Sequence, residues 1–348
     1  MPTLSRVLLA VVALSASLAA QRTWIVDQAL RQGADFADLP ETLIVANDGD
    51  TIILRTTANL GYRQWPNYSG AMTNKAVTIL GEPGARIGGT LGAAGLPSGR
   101  TFAVAGLTIS YLTLSYCSGA VHVERVTTAG VSIVGCLLVT LVNSTVSSVQ
   151  VPSGSPDVAV IDCSSTGVSV TGDAATPRVL VAGGLAFGSF TDGSYQSTAS
   201  LTIAGGRTTT VVGNIDWHGP LTIDPTAQIF GTITGRQPTM QRIPDLSALG
   251  APPGQPIRTS IRSPAGDTAV LLVSVPMQRT PTPPFGDLWI DPTAIFYVAG
   301  GIQGAGEQLD LLIPTPSSAP RGIVLGLQAL AGPGLDLRLS NPSVVVVN

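Results

Sequence analysis

Three segments of the chain close on a cysteine in the same way. Leu112-Thr113-Leu114-Ser115-Tyr116-Cys117, Val131-Ser132-Ile133-Val134-Gly135-Cys136 and Val158-Ala159-Val160-Ile161-Asp162-Cys163 each read apolar-x-apolar-x-x-Cys. A valine or leucine follows at Val121, Leu141 and Val168. The cysteines are 19 and 27 residues apart, and the longer interval reads as one repeat plus a loop-like insert over Val151–Asp157. An imperfect period of about 20 residues marks a solenoid, in which one unit cannot bury its own apolar face and stacked units can. Each unit holds very short alternating segments, such as Leu107-Thr108-Ile109, Val121-His122-Val123 and Val168-Ser169-Val170. Alternation over three to five residues predicts strands with one side chain in and the next out. Stacked rungs then place Cys117, Cys136 and Cys163 on one interior line, where a free thiol packs as a small hydrophobe.

Composition removes other classes. Charged residues are 11% of the 348 and apolar residues 44%, which excludes a disordered chain, since disorder needs the reverse balance. A single lysine, Lys75, and a net charge of −3 exclude a broad basic surface for nucleic acid. Three cysteines cannot all pair within one chain, and no CxxC or His cluster points to zinc. No phosphate-binding loop, no GxSxG elbow and no cofactor motif occurs.

At the N-terminus Arg6 precedes the apolar run Val7–Leu14 and the small residues Ser15-Ala16-Ser17-Leu18-Ala19-Ala20. This pattern predicts a signal peptide over residues 1–20. The run is too short to span a bilayer as a helix, which takes ~20 residues. The expectation is a secreted or cell-surface protein with no integral membrane segment after the leader is removed.

Asp48-Gly49-Asp50-Thr51-Ile52-Ile53-Leu54 and Lys75-Ala76-Val77-Thr78-Ile79-Leu80-Gly81 resemble the opening rungs of right-handed parallel β-helix proteins of the pectate-lyase-like superfamily. The resemblance runs from about Thr23 to Ile233. It implies an all-β chain: a right-handed parallel β-helix over 21–237, a Pro/Gly-rich linker over 238–256, and a small antiparallel β-sandwich over 257–348. Strand runs punctuated by Pro and Gly support the sandwich. Gly286-Asp287-Leu288-Trp289-Ile290-Asp291-Pro292 and Leu339-Ser340-Asn341-Pro342 resemble a C-terminal β-domain of bacterial exported proteins, which implies attachment, secretion or partner binding.

Fold does not choose a function here, because these rungs carry enzymes and adhesins alike. A pectate-lyase-like enzyme implies clustered aspartates and a Lys or Arg base, and a polygalacturonase-like one implies NTD, DD, GHG and RxK motifs. The chain carries none of these, and no two acids are adjacent. The catalytic candidates are His122, Glu124 and Arg125, since strand alternation puts the first two on one side. The expected background for them is a solvated outer face with Val121 and Val123 inward. Asp216-Trp217-His218 reads as a turn or a sugar grip, and Asp48-Gly49-Asp50 as a turn too poor in oxygens for calcium. The ligand-binding candidates are Tyr62, Trp65 and Tyr68, whose flat rings beside amides suit sugar stacking. No metal or cofactor is expected. The composite expectation is a non-catalytic scaffold, adhesion or glycan-binding protein with a polysaccharide or cell-surface partner; the alternative is a polysaccharide lyase or glycoside hydrolase.

Overall fold

The computed structural model describes residues 21–56, 67–154, 156–171, 177–193, 196–205 and 209–348. The first part is a parallel β-solenoid and the second a set of antiparallel sheets. One solenoid face is an eleven-stranded parallel sheet from Thr23–Val26 to Thr239–Met240. Its register stacks Phe102, Val121, Val139, Val158, Val179, Leu201 and Leu221 in one interior column. All seven are 2% exposed or less. Burial of each such side chain contributes about 1.5–3 kcal/mol, and only a neighbouring rung supplies it.

The second and third faces form one thirteen-stranded sheet, because strands such as Thr108–Ser115 and Leu185–Thr191 bend across the corner between them. The third face alternates strictly: Leu112 and Leu114 point inward, Thr113 outward, and Val131 and Ile133 inward, Ser132 outward. Between the first and second faces, Arg125, Asn143 and Asp162 stack with φ near +50°, in column with Gly106 and Gly183. Asn and Asp tolerate this left-handed turn better than most residues.

The cysteines are free and buried, but they do not share one line. Cys117 and Cys136 end adjacent third-face strands, which pair Leu112 with Val131 and Ser115 with Val134. Cys163 instead follows the first-face strand Asp157–Ile161, and its Sγ lies 3.4 Å from the backbone nitrogen of Ser144 one rung earlier. The interval of 27 residues is therefore one turn plus the passage from one corner to another. The supposed insert begins as strand: Val151–Ser153 belongs to Val149–Ser153, which pairs with Val131–Val134 and with Val168–Val170.

A short helix, Leu39–Val45, packs Leu39 and Leu43 into the first rungs. Asp38 caps its N-terminus and Pro40 sits in its first turn, where a missing N–H costs nothing. Its last turn carries no basic residue to complement the free carbonyls. Lys75 supplies one, its Nζ donating to the carbonyls of Leu43, Ile44 and Ala46 at 2.7, 2.8 and 2.6 Å.

The C-terminal part holds a three-stranded sheet (Asp245–Leu249, Ile257–Arg262, Gln308–Ile313) and a four-stranded sheet (Thr268–Ser274, Phe296–Ile302, Val324–Gly332, Arg338–Val346), both antiparallel. A separate hairpin pairs Pro276–Thr282 with Gly286–Ile290. Within 238–256, read from sequence as a linker, Asp245–Leu249 is thus a strand of this unit. Leu246, Ile261, Leu271, Leu327 and Val345 form the core between the sheets. The two family-like segments meet through buried amides. Gln328 accepts from Trp289 N at 3.0 Å and donates to the carbonyls of Asp287 and Ser340, while Asn341 bridges both backbone groups of Leu246.

This unit lies on the first face of the solenoid. Trp289 and Val344 pack on Leu138, Val142, Ala159, Ile161 and Leu180, and Val346 packs on Ile53, Leu80 and Ala105. First-face strands are consequently buried and largely apolar on both sides, as parallel sheets covered on both faces are.

Candidate functional site

His122 and Glu124 are sealed beneath the C-terminal unit, while the Arg125 side chain beside them is about one-third exposed. Val121 and Val123 do point inward, but His122 and Glu124 on the other side are 1% and 0% exposed rather than solvated. Glu124 Oε2 accepts from Val346 N at 2.7 Å, and Oε1 accepts from Gly250 N at 3.3 Å. Arg125 Nε lies 3.4 Å from Glu124 Oε1, and its guanidinium donates to the side-chain oxygen of Asn348, the amide being oriented by that bond. His122 Nδ1 is 2.8 Å from Thr140 Oγ1, while its Nε2 has no hydrogen-bond partner among the described residues. His122 and Glu124 are closed off from solvent. They join two parts of the fold, and Asp157 repeats the device, held by Arg178 and by Arg279 N at 3.1 Å. Burial pushes the Asp157 carboxyl above its ordinary range, and Arg178 opposes that shift.

Of the aromatic candidates, Tyr62 and Trp65 lie outside the described residues. Tyr68 is 1% exposed, with its hydroxyl 2.6 Å from the carbonyl of Arg55 and 3.0 Å from that of Val26. Burial lifts its pKa to about 12. It is a core tyrosine with no open ring face. Trp217 is likewise core, its Nε1 donating to Ala199 O. Asp50 is consumed by Arg22 N, Asn47 N and Trp24 Nε1. Among the described residues no group of three or more His, Cys, Asp or Glu is arranged to hold a metal, and no helix is long and apolar enough to cross a membrane.

The third face remains open. Its outward positions run in register through Thr113, Ser132, Gln150, Ser169, Thr191, Asp216 and Thr234. Every member is polar, and each can both donate and accept a hydrogen bond, save Asp216, which accepts. Rungs repeat about every 4.8 Å, so this column is a regular hydrogen-bonding strip.

At the far end of the strip the rungs bring together residues that are distant in sequence. Asp192 has a fully buried side chain. It accepts from His218 N at 2.7 Å, from Gly219 N at 2.9 Å, and faces His218 Nδ1 at 3.1 Å. His218 Nε2 lies 4.0 Å from Asp216 Oδ1, which also accepts from Thr234 Oγ1 at 2.7 Å. Asp216, His218, Thr234, Gly235 and Arg236 line an open groove of about 570 Å³. Asp192 escaped the sequence reading because it is 26 residues from His218, a little over one rung. The rung period was the signal available for joining them.

A scan against protein-family models and a search of curated proteins find no match for the chain.

Proposed function

We propose that the chain is an exported solenoid scaffold that binds an extended glycan on its third face. The observation that carries this reading is the in-register column from Thr113 to Thr191, a flat strip of hydroxyl and amide groups with neither charge nor apolar pocket. Such a surface matches the alternating hydroxyls of a sugar chain and offers little to an apolar partner. The C-terminal unit supports the scaffold role, since it occupies the first face and leaves the strip open. Passage of the purified protein over a polysaccharide panel tests the reading. Retention by at least one glycan, lost in the Ser132→Arg/Gln150→Arg double variant, supports it; failure of every glycan to retain the protein refutes it.

A second reading, glycan cleavage, is favoured by Asp192 and His218. A buried carboxylate that orients an imidazole beside a groove is the arrangement general acid–base catalysis requires. Product release from a bound glycan that disappears in His218→Ala would establish that reading over simple binding.

A further inference from the structure

Two of the exposed aromatic side chains stand at the two ends of one third-face strand. Tyr111 is 57% exposed and Tyr116 is 70% exposed, and both flank the strand stretch holding Thr113 and Ser115. Neither ring has a neighbouring aromatic partner among the described residues. Each is seated over a glycine of the next rung. A Cβ built on Gly130 would lie 3.5 Å from Tyr111 Cε1, and one built on Gly135 would lie 2.9 Å from Tyr116 Cδ1. A side chain at Gly135 would therefore displace the Tyr116 ring, and Gly135 also holds φ +60°. Small residues beneath large exposed rings let those rings lie along the sheet surface instead of standing off it.

From this geometry we infer that Tyr111 and Tyr116 are paired stacking platforms for an uncharged linear glycan lying along one rung, parallel to the strands. This inference rests on the proposed glycan-binding function and adds the position, direction and class of the ligand. Direction follows from the platforms: they are separated along a strand, by about 17 Å at ~3.3 Å per residue, and not along the solenoid axis. A short run of pyranose rings fits between them. There it meets Thr113 and Ser115 and, one rung on, Ser132. Sugar rings present apolar C–H faces to aromatic rings and hydroxyls to polar neighbours, so this alternation of surface types suits them.

Class follows from charge. The outward positions of these rungs are Tyr111, Thr113, Ser115, Ser132, Val134 and Gln150, and none is ionised. A polyuronate would find no cation there. A proline-rich peptide needs an aromatic-lined groove, and the surface between the two tyrosines is flat hydroxylated sheet.

Calorimetric titration of the full chain with cello-, xylo- and manno-oligosaccharides of two to six sugars tests the proposal. Oligogalacturonates and a proline-rich peptide serve as comparison ligands. Expected is an affinity for one neutral series that rises with length until both tyrosines are spanned. Tyr111→Ala and Tyr116→Ala each weaken it about fivefold to tenfold, Tyr111→Trp retains it, and Leu335→Arg, on the C-terminal unit and 95% exposed, leaves it unchanged. Binding that survives the double alanine variant but fails in Ser169→Arg overturns the inference and leaves the proposed function standing, with the glycan lying along the axis. Binding confined to oligogalacturonates or to the peptide also overturns the inference. Absence of any bound glycan removes both. Tyr111, Tyr116 and Leu335 are exposed and Ser169 points outward from its strand, so these variants are expected to keep the fold.

Discussion

The backbone N–H of Val346 donates to Glu124 Oε2 at 2.7 Å, joining residues 222 positions apart. Glu124 is fully buried, and its other oxygen accepts from Gly250 N. A carboxylate placed between two strands of another unit is a docking device, since removing it strands both donors.

Glu124→Ala is accordingly expected to destabilise the fold by about 3 kcal/mol, the scale for breaking a buried charge pair from one side. Denaturant unfolding followed through Trp289, which lies in the interface at 5% exposure, measures it. A loss below about 1 kcal/mol would show that the apolar interface alone holds the unit in place.

How much of this was legible beforehand differs by face. Third-face strands alternate, and Val131-Ser132-Ile133 reads correctly as in, out, in. First-face strands such as Leu138–Val142 are apolar at four of five positions, on both sides, and that near-continuity was the sign of a second covering layer. Reading His122 and Glu124 as solvated ignored it. The cysteine alignment failed for a related reason: strands on both faces end in the same apolar-x-apolar-x-x pattern. Sequence similarity therefore could not distinguish Cys163, at the first-face corner, from Cys136, at the third-face corner. The aromatic loop stood out by its density of rings, whereas Tyr111, which alternation with Leu112 turns outward, was not singled out.

Lys75 is expected to matter locally. Its ammonium satisfies three carbonyls at the C-terminal end of Leu39–Val45, where a positive charge also complements the helix dipole. Because Ile44 beside it is 78% exposed, water replaces part of what is lost. Lys75→Met should cost about 1 kcal/mol and speed hydrogen exchange at the helix without altering exchange in the central rungs. Global acceleration would contradict a local cap.

Asp192 and His218 are separable by stability. Asp192 holds two backbone N–H groups besides the imidazole. Asp192→Ala leaves both without their acceptor and should cost about 2 kcal/mol, whereas His218→Ala removes one partner from a carboxylate that keeps two and should cost less than about 1 kcal/mol. Guanidinium melts of the two variants decide. Equal losses would mean that the imidazole itself supports the rung.

Asp162 gives a pH dependence of definite sign. Burial raises its pKa from 3.8 to about 6, against the opposing charge of Arg262. Between about pH 4 and 6 the folded chain therefore binds a proton that the unfolded chain has released. Below this window both states are protonated and the shift has no effect. Above it both are ionised, and the fold carries the cost of a buried charge. Stability from this site thus falls as pH rises from 4 to 6. Asp162→Asn removes the ionisation, and asparagine accepts the left-handed backbone, as Asn143 does at φ 49° one rung earlier. The variant and the parent should melt together at pH 4 and separate above pH 6, with the variant more stable. Comparing the two at each pH cancels the titration of other groups. Melting temperatures that stay parallel from pH 4 to 8 would show that Asp162 titrates alike in both states, and a less stable variant at pH 7 would show that its charge is held by Arg262 rather than penalised.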